Sequence, residues 1–451
     1  MNEVAPKEIR KVAVASLVGT TIEYYDFFLY ATAAALVFGD LFFPTLSPLA
    51  GTLASFGTFA IGFVARPVGG IVFGHYGDRI GRKRTLVLTL LLMGIATTAI
   101  GLVPTYASIG AWAPVILIAL RFLQGFAVGG EWGGAALLCV EYAPAGRRGF
   151  YGSWPQFGLA IGLLLTSGVF TMLSGLSDAQ FNAWGWRIPF LFSVALLAVG
   201  LWVRLRIAES PAFVQMVKAD RAVRWPILVT LRSQPRRVLA LIGTHVGDSV
   251  VFYFTTAFLV SYGVTQLELS KGTILRGVMI AAAIEIVTIP LFAHLSDRIG
   301  RKPIYAAGAL FWIAFAFPAF LLLGTKDPSI IVLTMVLGLS IGHALMYAVQ
   351  PAFYAEAFDT NVRYTGISLA YQVAPMIGGG LAPFIGTALL ERAGGHYWPV
   401  AVYVAAMCAI TAMSVAALPE TFRRRSLLDD AVEPETAQAA PVEPAPASVG
   451  V

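Results

Sequence analysis

Ionisable side chains stand inside long apolar runs of this sequence, and their spacing sorts them into sets. Glu23 and Asp26 lie at i and i+3, with Tyr30 at i+7, inside the run 12–38, so the three share one face of a helix. Two carboxylates held close together away from water resist being ionised at once, so such a pair can hold a proton. Asp26 is the expected proton-coupling group and Glu23 its support; the alternative is a pair of static ion pairs that only fix helix packing. Arg121 and Gln124 share the run 112–140. A guanidinium is a planar fork that matches a carboxylate, so Arg121 would either pair with Asp26 and release it, or hold a bound carboxylate directly. Glu131, ten residues on, is rotated from Arg121 by about 80°; it flanks that face and is a partner for Arg66. In the second half of the chain His245 and Asp248 stand at i and i+3, and His343, Tyr347 and Gln350 at i, i+4 and i+7. Each set shares a face. Glu285 stands alone in its run.

Such groups are costly at bilayer depth, and lipid is what the composition requires. Hydrophobic residues make up 57% of the 451 and charged ones only 12%, far too apolar a balance for a soluble globular chain. Runs of roughly 20 apolar residues predict an all-α integral membrane protein with twelve spans: 12–38, 51–74, 85–103, 112–140, 150–173, 188–203, 238–261, 274–296, 303–323, 329–350, 365–389 and 398–417. The polar start, 1–11, leads into the first run without a cleavage signal, so it reads as a retained signal-anchor. Cys139 and Cys408 both lie in apolar runs, a pattern that suggests neither a disulfide framework nor a metal site. Gly125, Gly129 and Gly133 recur every fourth residue, which lets a neighbouring helix approach closely.

An even number of spans puts both termini on one side. Lys and Arg are retained in cytoplasmic loops, and 24 of the 31 fall on the side of the termini, which is therefore expected to be cytoplasmic. Eight of them lie in the longest connection, 204–237, which separates a first bundle at 12–203 from a second at 238–417. This placement explains the net charge of +6 without invoking nucleic acid. Trp112, Trp184, Trp186 and Trp398 fall at the opposite ends of their spans, where an aromatic belt is expected. The tail 418–451 is rich in Ala, Pro and Glu and reads as disordered.

The two bundles repeat one another. Gly74-His75-Tyr76-Gly77-Asp78-Arg79-Ile80-Gly81-Arg82-Lys83 returns as Ala293-His294-Leu295-Ser296-Asp297-Arg298-Ile299-Gly300-Arg301-Lys302. Glu141 with Arg148 returns as Glu356 with Arg363, and Gln156 with Gly162 as Gln372 with Gly378. Three matches in one order at nearly one offset describe a parallel repeat, the arrangement of carriers that rock two bundles about a central site. In each loop a glycine-bounded turn holds an acid beside arginines at the membrane edge. Such a clasp can close one conformation and break in the other.

The loop resembles the signature of the major facilitator superfamily, G-x-x-x-D-R-x-G-R-K; the first copy fits fully and the second has Ala293 for the leading glycine. The resemblance covers everything but the tail. Gly19-Thr20-Thr21-Ile22-Glu23-Tyr24-Tyr25-Asp26-Phe27, Phe63-Val64-Ala65-Arg66-Pro67, Arg121-Phe122-Leu123-Gln124-Gly125, Gly129-Gly130-Glu131-Trp132 and Glu209-Ser210-Pro211 are similar to the metabolite:proton symporter subfamily, most of all to its shikimate-type members. The resemblance implies a secondary active transporter, driven by the proton gradient with no cofactor or metal, that takes up a small polar organic acid by alternating access. Antiport would need G-P-x-x-G-G where this chain has Trp154-Pro155-Gln156-Phe157-Gly158. By resemblance spans 1, 4, 7 and 10 line the cavity. The expected sites are then Asp26, Glu23, Arg121, Glu131 and Asp248 for proton coupling; Tyr30, Arg121, Gln124, His245, Asp248, His343, Tyr347 and Gln350 for the substrate cavity; and Gly74, Asp78, Arg79, Gly81, Arg82, Asp297, Arg298, Gly300 and Arg301 for the gate. A bacterial inner-membrane monomer with substrate, proton and lipid as its partners is expected. Uptake of a zwitterionic osmolyte through an aromatic cage (Tyr24, Tyr25, Tyr30, Trp132, Tyr253, Tyr347) and a transport-inactive sensor are the alternatives. An enzyme is not expected, because the chain carries no P-loop and no H-E-x-x-H.

Overall fold

The computed structural model describes residues 6–173, 175–218 and 225–422, and every regular element among them is helical. The first bundle holds α1 (Lys7–Phe42), α2 (Pro48–Ile80), α3 (Arg82–Leu102), α4 (Trp112–Tyr142), α5 (Arg148–Phe170) and α6 (Phe181–Leu205). The second holds α7 (Pro235–Thr265), α8 (Lys271–Ile299), α9 (Arg301–Gly324), α10 (Pro328–Ala357), α11 and α12 (Trp398–Ala417). Eleven of the described helices are continuous, long and apolar enough to cross a membrane. The twelfth crossing, α11, is in pieces: Arg363–Ala374, a π-helical turn Pro375–Gly379, and Ala382–Arg392. Pro375 and Pro383 flank a run of three glycines there, and proline removes the donors a continuous helix needs. Large apolar side chains such as Leu53, Leu102, Val287, Leu310, Phe384 and Met413 face outward, a surface suited to lipid and unlike that of a soluble monomer.

The repeat is visible at its turns. α2 passes into α3 at Gly81 (φ 111°) and α8 into α9 at Gly300 (φ 113°), backbone that a side chain would strain. Within the first bundle α2 packs on α4 and α1 on α5; within the second α9 and α7 pack on α12. Between bundles α11 lies against α2 and α4, and α5 against α8. The main core crosses this interface, with Trp132, Leu137 and Leu159 joined to second-bundle residues such as Val250, Tyr354 and Tyr371. Gly125 and Gly129 let α4 lie against the backbone of α2 at Gly62 and at Arg66 and Gly70, whereas Gly133 faces Ser368 and Tyr364 of α11.

Three boundary expectations change. Arg204 is inside α6, fully buried, not in the connecting loop. Trp186 is fully buried against Phe38, Phe42 and Phe190 and does not belong to an interfacial belt. The segment 418–422 docks on the second bundle, as described below; the rest of the tail lies outside the described residues. Replacing Gly125 tests the α2–α4 contact, because a Cβ there would stand 2.7 Å from Gly62 Cα. Gly125→Leu should lower the thermal midpoint in detergent by an amount matching about 1–3 kcal/mol of overpacking. Gly168→Leu, at a position open for 4 Å around, should leave the midpoint unchanged.

Candidate functional site

Inside the first bundle a small cavity, about 10 Å³, is lined by Glu23, Asp26, Phe27, Arg66, Arg121 and Gln124. That is room for about one water. Asp26 is buried and accepts from Thr97 Oγ1 at 2.7 Å and Ser193 Oγ at 2.9 Å. Thr97 in turn accepts from Gln124 Nε2 at 2.7 Å, and Gln124 Oε1 accepts from Arg121 Nη1 at 2.5 Å. The expected contact between Arg121 and Asp26 is therefore a relay through two neutral side chains and not a direct pair. Arg121 lies 4.2 Å over the Tyr30 ring and 4.8 Å over Phe59; Tyr30 supports the guanidinium and bonds Thr58 at 2.6 Å. Arg66 sits 4.9 Å over Phe27 and 5.0 Å over Phe63, with Glu23 and Asp26 in the lining of the same cavity. Glu131 is taken by Arg204, Thr89 adding a hydrogen bond at 2.9 Å. The expected partnership of Glu131 with Arg66 is thus replaced: Arg204, assigned from sequence to a loop, is the partner.

The second bundle gathers its ionisable groups elsewhere. His343 Nδ1 is 2.7 Å from Glu285 Oε1, its Nε2 is 3.6 Å from Asp248 Oδ1, and Asp248 Oδ2 is 3.1 Å from His245 Nδ1. Gln350 Nε2 reaches His245 at 3.2 Å and Tyr305 at 3.1 Å. Glu285 is therefore not isolated. A π-helical turn, Leu337–His343, ends on the histidine; such turns displace a helix's register locally. His343 and Gln350 point into their own bundle, and Tyr347 stacks on His343 at 4.9 Å while its hydroxyl reaches out to 2.9 Å from that of Tyr24. The cavity expected to be shared is thus divided: Arg121 and Gln124 line it, and His245, Asp248, His343 and Gln350 form a separate cluster.

Between the two lies an aromatic layer. Trp132 stacks on Tyr371 at 3.5 Å, Tyr371 on His245 at 4.3 Å, and Phe63 meets Tyr253 edge-on at 5.8 Å. The repeated glutamines bind across it in mirrored fashion. Gln156 of α5 donates to Tyr347 O of α10 at 2.8 Å, and Gln372 of α11 to Gly129 O of α4 at 3.1 Å.

At the end where the chain termini lie, the duplicated loops clasp the opposite bundle. Asp78 accepts from Tyr364 N (3.2 Å), Thr365 N (2.9 Å) and Thr365 Oγ1 (2.9 Å) at the start of α11. Asp297 accepts from Gly149 N (2.8 Å) and Phe150 N (2.9 Å) at the start of α5. Each carboxylate thus caps a helix of the other half, where free N–H groups and the helix dipole favour an anion. Arg82 holds Asp78 at 3.3 Å, and Arg301 holds Asp297 at 2.7 Å. Arg363 reaches Glu141 at 3.2 Å and Arg148 reaches Glu356 at 3.8 Å, both across the interface. Gly74 admits α11, since a Cβ would stand 2.8 Å from Thr365 Cα. In the second copy Ala293 replaces that glycine, and the room comes from Gly149 on the facing helix. Arg79 and Arg298 are exposed and outside this network, against expectation; Arg79 only approaches His75 at 3.5 Å.

Glu209 and Glu420 complete each clasp. Glu209 Oε1 accepts from Arg82 N at 2.9 Å, and Glu420 accepts from Arg301 N and Lys302 N at 3.0 Å. Beside them Ser210 bonds Glu141, and Thr421 bonds Glu356 at 2.7 Å. Reading the tail as structureless missed Glu420. The signal was present, since Glu209-Ser210 and Glu420-Thr421 are the same acid-hydroxyl pair following each sixth span.

The model of the Major Facilitator Superfamily matches residues 16–374. The chain belongs to that superfamily. It is 43% identical over 417 residues to the Shikimate transporter of Escherichia coli K12, covering 92% of this chain and 95% of the relative. It is 44% identical over 425 residues to the Inner membrane metabolite transport protein YhjE of the same organism, again covering 92% and 95%. The Proline/betaine transporter of Salmonella typhimurium LT2 is 34% identical over 435 residues, 92% of this chain and 85% of its own. The solved proton:xylose symporter XylE bound to 6-bromo-6-deoxy-D-glucose shares the fold, with a TM-score of 0.75 at 19% identity over 94% and 98% of the two chains.

The clasp is the expected gate of this major facilitator transporter, and Asp78 tests it. Asp78→Asn keeps the shape but takes from buried Arg82 its partner at 3.3 Å and leaves it Glu141 at 3.6 Å, so the cost falls below the about 3–5 kcal/mol of a fully orphaned buried charge. Initial transport rates should fall at least tenfold while equilibrium binding in detergent changes less than twofold; a large loss of binding would refute the gate assignment. Glu420→Gln should lower the thermal midpoint as much as Glu209→Gln does, because the two cap equivalent helices.

Proposed function

We propose that this transporter carries a small organic acid inward together with protons, and that Asp26 holds the coupling proton. The observation that carries the reading is the pair Arg66 and Arg121, two guanidiniums lining one cavity without an ion-paired carboxylate among the described residues. Glu23 and Asp26 line the same cavity without an ion pair to either guanidinium, so a proton taken up there leaves the arginines to an incoming carboxylate, and Arg121 with its unpartnered Nε is placed to take it. A betaine would need open aromatic faces, but Phe27, Phe63 and Tyr30 already carry guanidiniums. Trp132 is committed to Tyr371.

Asp26 suits reversible protonation because both of its donors have another acceptor. Thr97 Oγ1 lies 2.9 Å from Met93 O, and Ser193 Oγ lies 3.5 Å from Pro189 O, each one helical turn back. When the carboxylate takes a proton, the hydroxyls rotate to those carbonyls and no buried group is left unsatisfied. The relay through Thr97 and Gln124 then carries the change to Arg121. No cofactor enters this cycle. On the charge asymmetry of the loops both termini face the cytoplasm, the clasp closes the cytoplasmic side, and the carrier works as a monomer in a bacterial inner membrane.

Uptake of labelled shikimate, 2-oxoglutarate and betaine into proteoliposomes, with and without an imposed proton gradient, tests the reading. An organic acid should accumulate only with the gradient, and uptake of a true substrate that ignored the gradient would sink symport. Asp26→Asn should abolish gradient-driven accumulation and leave exchange of preloaded substrate partly intact; loss of both together would make Asp26 structural.

A further inference from the structure

The two bundles neutralise their buried acids by different means. In the first, Glu131 is paired with Arg204, a charge that arginine keeps at any working pH, while Asp26 is held by two hydroxyls and Glu23 lines the cavity with Arg66 and Arg121. In the second, Asp248 and Glu285 are equally buried, yet every ion-pair partner they have among the described residues is a histidine. The other titratable groups facing the cluster are Tyr305 on α9, Tyr347 and Tyr354 on α10, and Cys408 on α12, together with Tyr371 of α11, which stacks on His245. All of these are neutral in their ordinary form. Two ionised carboxylates beside two neutral imidazoles would place a double negative charge in a medium that does not tolerate one. The cluster must therefore keep protons of its own, and the counter-charge is removable.

We infer that Asp248, Glu285, His245 and His343 form a second proton-binding site, so that each cycle moves a second proton beside the one held at Asp26. Two atoms are free to take it: Asp248 Oδ1 and His245 Nε2 are buried and without a hydrogen-bond partner. A proton arriving from water forms an N–H bond on His245 or an O–H bond on Asp248, is shared with His343 and Glu285, and leaves to water on the other side. The route to water is set by the aromatic layer: His245 lies directly behind Tyr371, and Tyr371 behind Trp132 of the other bundle. Parting the bundles at that stack uncovers the imidazole, so proton exchange at this site is tied to the conformational step.

This inference rests on the reading of the chain as proton-coupled, and the test keeps the two apart. Infrared difference spectra between acid and alkaline pH, taken on the solubilised protein without any cargo, should contain a carboxyl band that Glu285→Gln removes and Glu285→Asp restores with a shift. No change in the spectrum on Glu285→Gln would overturn the site, whatever the transport assays give. In proteoliposomes carrying labelled shikimate, a monoanion taken up with two protons brings in one net positive charge. An inside-negative potential alone should then drive wild-type accumulation about tenfold for each ~59 mV. His343→Asn and Glu285→Gln should keep uptake driven by a pH gradient and lose the response to potential. Wild-type uptake that follows the pH gradient and ignores the potential would overturn the second proton. Uptake that ignores the pH gradient instead sinks the proposed symport, and the infrared band still decides the site.

Discussion

Asp78 and Asp297 are each held by two backbone N–H groups at the start of a helix that belongs to the opposite bundle. A helix start offers its unpaired donors to whatever anion reaches it, and here the anion comes with its own arginine. The helices that contribute the acids, α2 and α8, lie against α11 and α5, and the small residues at Gly74 and Gly149 are what allow those approaches. The interface arginines Arg363 and Arg148 then find their glutamates across the gap. Removing the reciprocal caps would leave four backbone donors without partners in the closed form and would take one of two acids from each of Arg82 and Arg301, which keep Glu141 and Glu356. The closed form exists because both bundles supply the anion the other needs.

Much of this was legible in the sequence because repetition is a stronger signal than composition. The loop at 74–83 and its copy at 293–302 located the turns, the clasp and the pairing of halves, and the apolar runs located the crossings. What the sequence could not show was partnership. A helical period places Arg121 and Asp26 on facing helices, but whether they touch depends on the length of the side chains between them, and Gln124 with Thr97 fills that space. The sequence matches Glu131 to Arg66 because Arg204 reads as a loop residue, and only the depth of α6 shows Arg204 as its partner. His343 and Tyr347 do share a face, their rings stacked at 4.9 Å, but a face reading could not show that the Tyr347 hydroxyl alone reaches across to Tyr24. Arg79 and Arg298 were placed in the gate because they stand beside its acids in sequence, yet neighbours along a helix point in different directions.

The clasp follows the twofold symmetry of the repeat, down to Glu209 with Ser210 and Glu420 with Thr421. The interior does not. Positions free of the gate have diverged into a guanidinium-rich cavity on one side and a histidine–carboxylate cluster on the other. Symmetry is useful where the same contact must be made and broken by both halves together, since equal latches open at equal cost. At the centre the two halves carry different ionisable groups, arginines on one side and histidines on the other.

The aromatic layer connects these unlike halves. Its hydroxyl contact, Tyr24 with Tyr347, joins α1 to α10, and its stack, Trp132 on Tyr371 on His245, joins α4 through α11 to α7. Both contacts begin beside the cavity and end at the histidine cluster. A change of charge in either place therefore acts on the same thin seam, where stacking and one hydroxyl bond are individually weak, worth about 1 kcal/mol each. The strong bonds sit at the clasp and the weak ones at the seam, so a change at the centre meets little resistance from the contacts there, while the clasp holds most of the interface together.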